Sequence, residues 1–304
     1  MQALYGFFQT SGKDMLVAER ELLSALDKVY DLYISQLALI IELKHVATTL
    51  LEEAKTKHLA TAEQLNPSLK FVENKFIQQL SENIHLKREI HNRKISWNNE
   101  FELVKKLMNA IRSSNEYITY MTFASNSYQS DKDFILQLFT EHIADFELLN
   151  HHYGERFLHW EDDLYMVNPS LQKSMESFTE NGPADFELMP LYKDAEDDKQ
   201  FVIDLFRNTI IKNAEIEKLI GDKTKNWEVE RIAFMDVLLM KMAISETMQF
   251  PSIPIKVSLN EYIEISKMFS TPKSKMFING ILDKIITDLK REDKIVKTGR
   301  GLME

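Results

Sequence analysis

Cysteine is absent from this chain. That excludes disulfide bridges, thiolate zinc sites and any cysteine nucleophile, and it suits a reducing, cytoplasmic setting. Glycine and proline are scarce, at 8 and 7 in 304 residues. So few turn residues over such a length point to long uninterrupted elements, and helices are the elements that grow long. The opening run Met1-Gln2-Ala3-Leu4-Tyr5-Gly6-Phe7-Phe8 lacks the basic leading segment of a secretory signal, and its apolar part is too short for one. The apolar run from Ile34 to Leu43, interrupted by Gln36 and Glu42, is too short to span a bilayer. Positive charge is also in deficit. With 37 Lys and Arg against 47 Asp and Glu, the formal net charge is −10. The bulk surface therefore repels nucleic acid, and any RNA contact must use a local basic patch or the charge of a partner.

What is present reads as helix almost throughout, so the expected class is all-α. Hydrophobic residues at 44% are enough to bury a core. From Asp14 to about Lys57 apolar residues recur with helical period, through Leu16, Leu22, Leu23, Leu26, Val29 and onward. Asn66-Pro67 and Asn168-Pro169 each read as a helix start, asparagine capping and proline in the first position. Between them, helical patterns cover about 72–90, 95–112 and 114–124, and Ser130-Asp131-Lys132-Asp133 opens another. The acidic stretch from Thr179 to Asp198 holds Gly182, Pro183 and Pro190 and reads as an exposed linker. Four helices follow near 199–220, 228–248, 256–269 and 272–291, with Gly221 as a stop for the first. A weak internal repeat matches Asp131-Lys132-Asp133-Phe134 to Asp198-Lys199-Gln200-Phe201 and Trp160 to Trp227. It can be a duplicated helical pair or a chance likeness of two amphipathic pairs.

The last fifth is the most specific part. Pro254-Ile255-Lys256-Val257-Ser258-Leu259-Asn260-Glu261 is followed by Phe277-Ile278-Asn279-Gly280-Ile281-Leu282-Asp283-Lys284. Glycine inside a helix costs about 1 kcal/mol relative to alanine, so Gly280 predicts a close backbone approach. This pairing resembles the C-terminal signature of the transcription antitermination NusB family. Val229-Glu230-Arg231-Ile232-Ala233 is similar to the family's Arg-Ile-Ala helix, and Phe269 with Thr271-Pro272-Lys273-Ser274 to its turn before the Phe-x-Asn-Gly helix. At the other end, Gln2-Ala3-Leu4-Tyr5 resembles part of the family's first helix.

The resemblance implies a non-enzymatic RNA-binding protein, without cofactor or metal. It would pair with a small-subunit ribosomal protein in the NusE role, bind single-stranded boxA-type RNA of ribosomal leaders, and join the transcription elongation complex rather than a membrane. An acidic protein can dock a basic ribosomal protein through complementary charge. Candidate RNA contacts are Gln2 and Tyr5, the latter for base stacking, with Lys273 and Lys275 at a helix start where the dipole favours phosphate. The bland alternatives are a core tyrosine and solvated lysines. The expected organisation is a first helix at 1–9, a helical insertion at 10–180 with the duplicated pair at 131–178, an acidic linker at 181–197, and a C-terminal half at 198–304. The family's first helix is preceded by an arginine-rich RNA-contacting segment, whereas this sequence opens on the Gln-Ala-Leu-Tyr motif itself. Either the start is truncated or RNA contact rests on other residues. The competing reading is therefore a helical protein-binding adaptor that keeps the fold without touching RNA.

Other chemistry is thinner. His142, His151, His152, His159, Glu161, Asp162 and Asp163 can all bind metals, but a bundle metal site wants two facing Glu-x-x-His motifs. Glu82-Asn83-Ile84-His85 fits that pattern but is distant in sequence from this cluster. Lys87, Arg88, His91, Arg93 and Lys94 form a basic stretch, the best candidate for a second nucleic-acid patch, though most such runs are merely solvated. The NusB fold also occurs attached to RNA cytosine methyltransferases, which need a cysteine nucleophile and a glycine-rich cofactor loop. The chain has neither.

Overall fold

The computed structural model describes residues 1–56, 61–123, 127–224 and 232–303. Among them there are helices and no strand. In chain order these are α1 (Gln2–Gln9), α2 (Met15–Lys55), α3 (Ala62–Leu65), α4 (Lys75–Glu82), α5 (Ile84–Asn92), α6 (Phe101–Arg112) and α7 (Asn115–Thr122). Then come α8 (Tyr128–Leu138), continued by a π-helical turn at Phe139–Ile143, α9 (Glu147–Arg156) and α10 (Trp160–Ser177). The last five are α11 (Ala195–Ile211), α12 (Asn213–Lys223), α13 (Phe234–Gln249), α14 (Ile255–Phe269) and α15 (Ser274–Arg291). The chain forms two compact units. A terminal unit joins residues 1–23 to 192–304, and a middle unit holds 24–191.

The middle unit is built on α2. By length and apolar content alone this helix could cross a membrane, but most of its apolar window is buried in the protein. Every residue from Asp31 to Ile40 is buried, so the polar groups there need internal partners. Asp31 accepts from Lys28 and from Arg93, each at 2.7 Å. Gln36 donates to Asn168 at 2.9 Å, and Tyr33 and Ser174 share a bond of 2.6 Å. Two tryptophans donate their indole N–H to carbonyls of the same helix, Trp97 to Ser35 and Trp160 to Lys28. A second buried network joins α4, α7 and α8. Asn74 caps α4 at the Ile77 N–H, and its amide donates to the Tyr120 hydroxyl and the Asp131 carbonyl. The Asp131 carboxylate accepts from Tyr120 at 2.7 Å and from the Lys75 N–H at 2.8 Å. The buried Lys132 ammonium donates to the carbonyls of Glu176 and Phe178, closing the C-terminal end of α10.

Both Asn-Pro signals differ from their expected role. Asn66-Pro67 lies in irregular chain ahead of α4, which starts instead on Asn74, the residue whose side chain can also complete the buried network. Pro169 sits inside α10. Asn168 is not a cap; its side chain accepts from Gln36 of α2. An interior proline costs about 3 kcal/mol, here offset by the burial of Trp160, Leu164, Val167, Leu171 and Met175 on the same helix. Part of the acidic stretch is packed. Ala184 accepts from the Ile84 N–H, Phe186 accepts from Asn83 and lies 4.4 Å from the Phe178 ring, and Leu188 is buried.

In the terminal unit α13 is the axis, with Leu238 to Thr247 buried without a break. Lys241 on this helix is buried yet paired, its ammonium 2.6 Å from Glu217 and 4.7 Å from the centre of the Phe8 ring. Glu246 accepts from the Tyr262 hydroxyl at 2.6 Å. Arg207 of α11 forks onto both oxygens of Glu19 at the start of α2. The expected helix at 199–220 is two, α11 and α12, divided at Lys212, and Gly221 lies within the last turn of α12. The compact units divide at residues 23/24 and 191/192. Of the matched pair in the internal repeat, Asp131 serves the buried network, whereas Asp198 accepts from the backbone N–H groups of Lys193 and Asp194. Trp227 and the segment Val229-Glu230-Arg231 lie outside the described residues.

Gly280 overturns its expectation. It is exposed, and nothing lies within 4 Å of the place a Cβ would occupy. The close approach is at Gly301, where a Cβ would stand 1.9 Å from the Pro251 carbonyl oxygen. The C-terminal tail docks there, with the Thr298 N–H donating to the same carbonyl at 2.9 Å.

Asn74→Ala removes a cap and two buried hydrogen bonds. It should lower unfolding stability by about 2–3 kcal/mol. Urea titrations read through Trp97 and Trp160 fluorescence would measure this. Asn92→Ala, at an exposed position of α5, should change the same quantity by less than about 0.5 kcal/mol; equal effects would refute the network's importance.

Candidate nucleic-acid interface

The first helix reaches the interface through its aromatic residues. Leu4 of α1 is buried, Phe7 lies edge-on to Phe206 of α11, and Phe8 carries Lys241 over its ring. These contacts fix the rotation of the helix and turn Tyr5 to its open side. Tyr5 is 43% exposed, and its ring meets Phe234 edge-on at 5.4 Å. It is neither core nor free: one edge is held and the rest faces solvent, the disposition of a stacking platform. Gln2 is partly buried at the start of the same helix.

Phe234 opens α13, and the same first turn holds the approach to α15. Ser270 donates to the buried Asp236 carboxylate. Ser274 bonds Ser270 at 3.0 Å and Thr271 at 2.8 Å. This hydroxyl cluster sets the turn from which α15 departs. Lys273 stands at its N-cap and makes no side-chain cap bond; the Ser274 N–H donates to the Thr271 carbonyl at 2.9 Å, and the next two N–H groups are not closed by a cap side chain. Lys273, Lys275 and Met276 are exposed there. Tyr5 and the start of α15 are thus both tied to the first turn of α13, one through Phe234 and the other through Asp236. Uncapped N–H groups, the positive end of the dipole and two lysines make a setting for an anion. Phe234 and Asp236 went unnoticed in the sequence, because a buried aspartate on a mostly apolar helix carries no local signal.

Several other basic residues of the C-terminal segment are committed. Lys267 pairs with Glu264, Arg291 with Asp288, and Lys294 with Glu292, which raises that ammonium. Lys223 beside Asp288 holds its carboxyl below the usual range. Burial lowers the Lys297 ammonium, which donates to the Phe250 carbonyl at 2.9 Å. Three histidines of the middle unit face carboxylates: His142 lies 3.0 Å from Glu116, His151 3.4 Å from Glu155 and His152 3.7 Å from Glu100. Glu141 brings a third ligand-capable atom within 4.8 Å of the Glu116 and His142 pair.

The NusB family model matches residues 176–287. A transcription antitermination protein NusB of Koribacter versatilis is 41% identical over 103 residues, which cover 70% of that protein and 34% of this chain. The chain belongs to the NusB family. Proteins of the same name from Salinibacter ruber and Chloroherpeton thalassium are 43% identical over 105 residues and 40% over 106. Those alignments cover 66% and 50% of the relatives and 34% and 35% of this chain. The chain thus spans half to about two thirds of the length of these two relatives. No solved structure matches. The NusB match covers α11 to most of α15, and with it the turn that carries Lys273 and Lys275.

The edge contact on Phe234 makes Tyr5→Ala a structural change as well as a surface one. It should cost about 1 kcal/mol, whereas Tyr5→Phe should leave stability within about 0.5 kcal/mol of the parent. Paired urea titrations decide this, and equal costs would show that the ring contact contributes nothing.

Proposed function

We propose that the chain is an RNA-binding transcription antitermination factor. It acts with a small-subunit ribosomal protein in the NusE role on boxA-type elements of nascent ribosomal RNA, in the cytoplasm and as part of the elongation complex. It works by binding and catalyses no step. The observation that carries this reading is the start of α15, where an uncapped helix end presents exposed Lys273 and Lys275 within the segment matched by the NusB family. Three relatives bear the name transcription antitermination protein, which agrees with it.

Each assigned residue has a role that its chemistry suits. Tyr5 stacks on an unpaired base, the contact that single-stranded RNA offers every aromatic face. Gln2, on the same helix, can donate to or accept from a base edge. Lys273 and Lys275 neutralise phosphates beside the helix dipole. The net charge of −10 favours a basic protein partner, and the pair supplies together the charge that RNA needs. In this reading residues 10–180 are a helical insertion between the first helix and the C-terminal half.

The test is a titration of labelled boxA-like RNA at several salt concentrations, with and without the ribosomal protein. Binding should tighten with the partner and weaken with salt. Lys273→Glu with Lys275→Glu should flatten the slope of log K against log salt by about 1.4, two single-strand phosphate contacts at roughly 0.7 each, with little change in melting temperature. RNA binding unaltered in this variant would refute the assigned site. Partner binding without any RNA binding would make the protein an adaptor instead.

A further inference from the structure

We propose a second phosphate-binding surface, on α5 of the middle unit, that takes the backbone of single-stranded RNA. It rests on the RNA-binding function proposed above and adds residues that lie outside the segment matched by the NusB family.

The residues from Ile84 to Lys94 hold four lysines and arginines against one glutamate, in a chain of net charge −10. Leu86 and Ile90 turn α5 towards the core. Positions 84, 87, 88 and 91 then fall on the outer face, at helical spacings of three and four. Ile84, Lys87, Arg88 and His91 are all exposed there.

The neighbouring carboxylates are engaged elsewhere. Asp31 receives Lys28 and Arg93, Glu89 receives Arg93 at 3.0 Å, and Glu82 accepts from Gln78. Arg93 is thereby neutralised within the fold. Arg88 keeps only a 3.7 Å approach to Glu89 and a bond of 3.1 Å to His85 Nδ1. Among the described residues, the side chains of Lys87 and Lys94 have no hydrogen-bond or ion-pair partner.

Two features separate this patch from an ordinary solvated face. Lys87 and Arg88 stand at the fourth and fifth positions of a nine-residue helix, short of the last turn where the dipole would favour a cation. Lys94 follows the C-cap in the left-handed region, at φ 54°, a position that glycine fills at least cost. The backbone there bonds in the manner that ends many helices, the Ile95 N–H reaching back to the Ile90 carbonyl at 3.0 Å. Lysine at that point forgoes the cheaper residue and adds a second unpaired charge to that of Lys87. Two unpaired lysines and an arginine held only by His85 and a long approach to Glu89 suit the repeating phosphates of a nucleic acid. Ile84 is the single exposed apolar residue on the face, too little to seat a helix in a lipid surface.

The experiment uses the full chain and a single-stranded RNA of about thirty nucleotides carrying a boxA-like element. Lys87→Ala, Arg88→Ala and Lys94→Gly combined should weaken binding at low salt by tenfold or more. The slope of log K against log salt should flatten by about 2, three contacts at roughly 0.7 each. Lys94→Gly alone should weaken RNA binding while melting no lower than the parent, which a purely structural lysine would not do. If the parent binds RNA and the triple variant matches it in affinity and slope, the α5 surface is overturned and the α15 site stands. Absence of RNA binding by the parent overturns both. Vesicles containing phosphatidylserine serve as the second probe. Vesicle binding lost in the triple variant, with RNA binding kept, would assign the patch to lipid and overturn the proposal.

Discussion

A helix with a long buried run must find internal partners for the strongly polar groups it carries there, or lose more free energy than a typical hydrogen bond returns. Both units of this protein are organised around such a helix. In the middle unit it is α2, where Asp31, Tyr33 and Gln36 are answered by Lys28 and Arg93, Ser174 and Asn168. In the terminal unit it is α13, where Lys241 is answered by Glu217 and Phe8, and Glu246 by Tyr262. Apart from Lys28, which lies on α2 itself, each answer comes from another element of the chain. The polar residues therefore orient the neighbours that apolar packing merely attracts.

The candidate RNA interface follows from the second of these. The buried run of α13 stops short of its first turn, and Phe234 and Asp236 at that end take up contacts from two other elements. Phe234 receives Tyr5 from α1, and Asp236 receives Ser270 from the turn before α15. An aromatic platform and an open helix start are thus referred to one structural point, although more than 260 residues separate them in the chain. The energies are modest individually, about a kilocalorie per aromatic or hydrogen-bonded contact. Their value lies in fixing geometry.

The helical class was legible because glycine and proline are rare and apolar residues recur with helical spacing along most segments. The signature around Phe277-Ile278-Asn279-Gly280 was legible because it is local. Boundaries were read less well, and in each case a distant partner decided. Asn74 became a cap because Tyr120 and Asp131 engage its amide. Asn168-Pro169 stayed within α10 because Gln36 occupies the asparagine and the flanking residues are buried. Lys212 splits what reads as one helix. Gly280, which looked like a close contact, faces open space, and Gly301, which drew no notice, is the crowded position.

Composition and period by themselves determined that the chain is all-α, that cysteine chemistry is excluded, and which C-terminal segment carries the family signature. Each of these depends only on residue type or on neighbours a few positions apart. The tertiary structure alone decided which charges are spent and which are left over. Arg93 and Lys241 look no different in the sequence from Lys87 and Lys273, yet the first two are held by Asp31, Glu89 and Glu217 and the last two stand exposed. Pairing of charges depends on distance in space, and in this fold that distance is set by helices remote from one another in the chain.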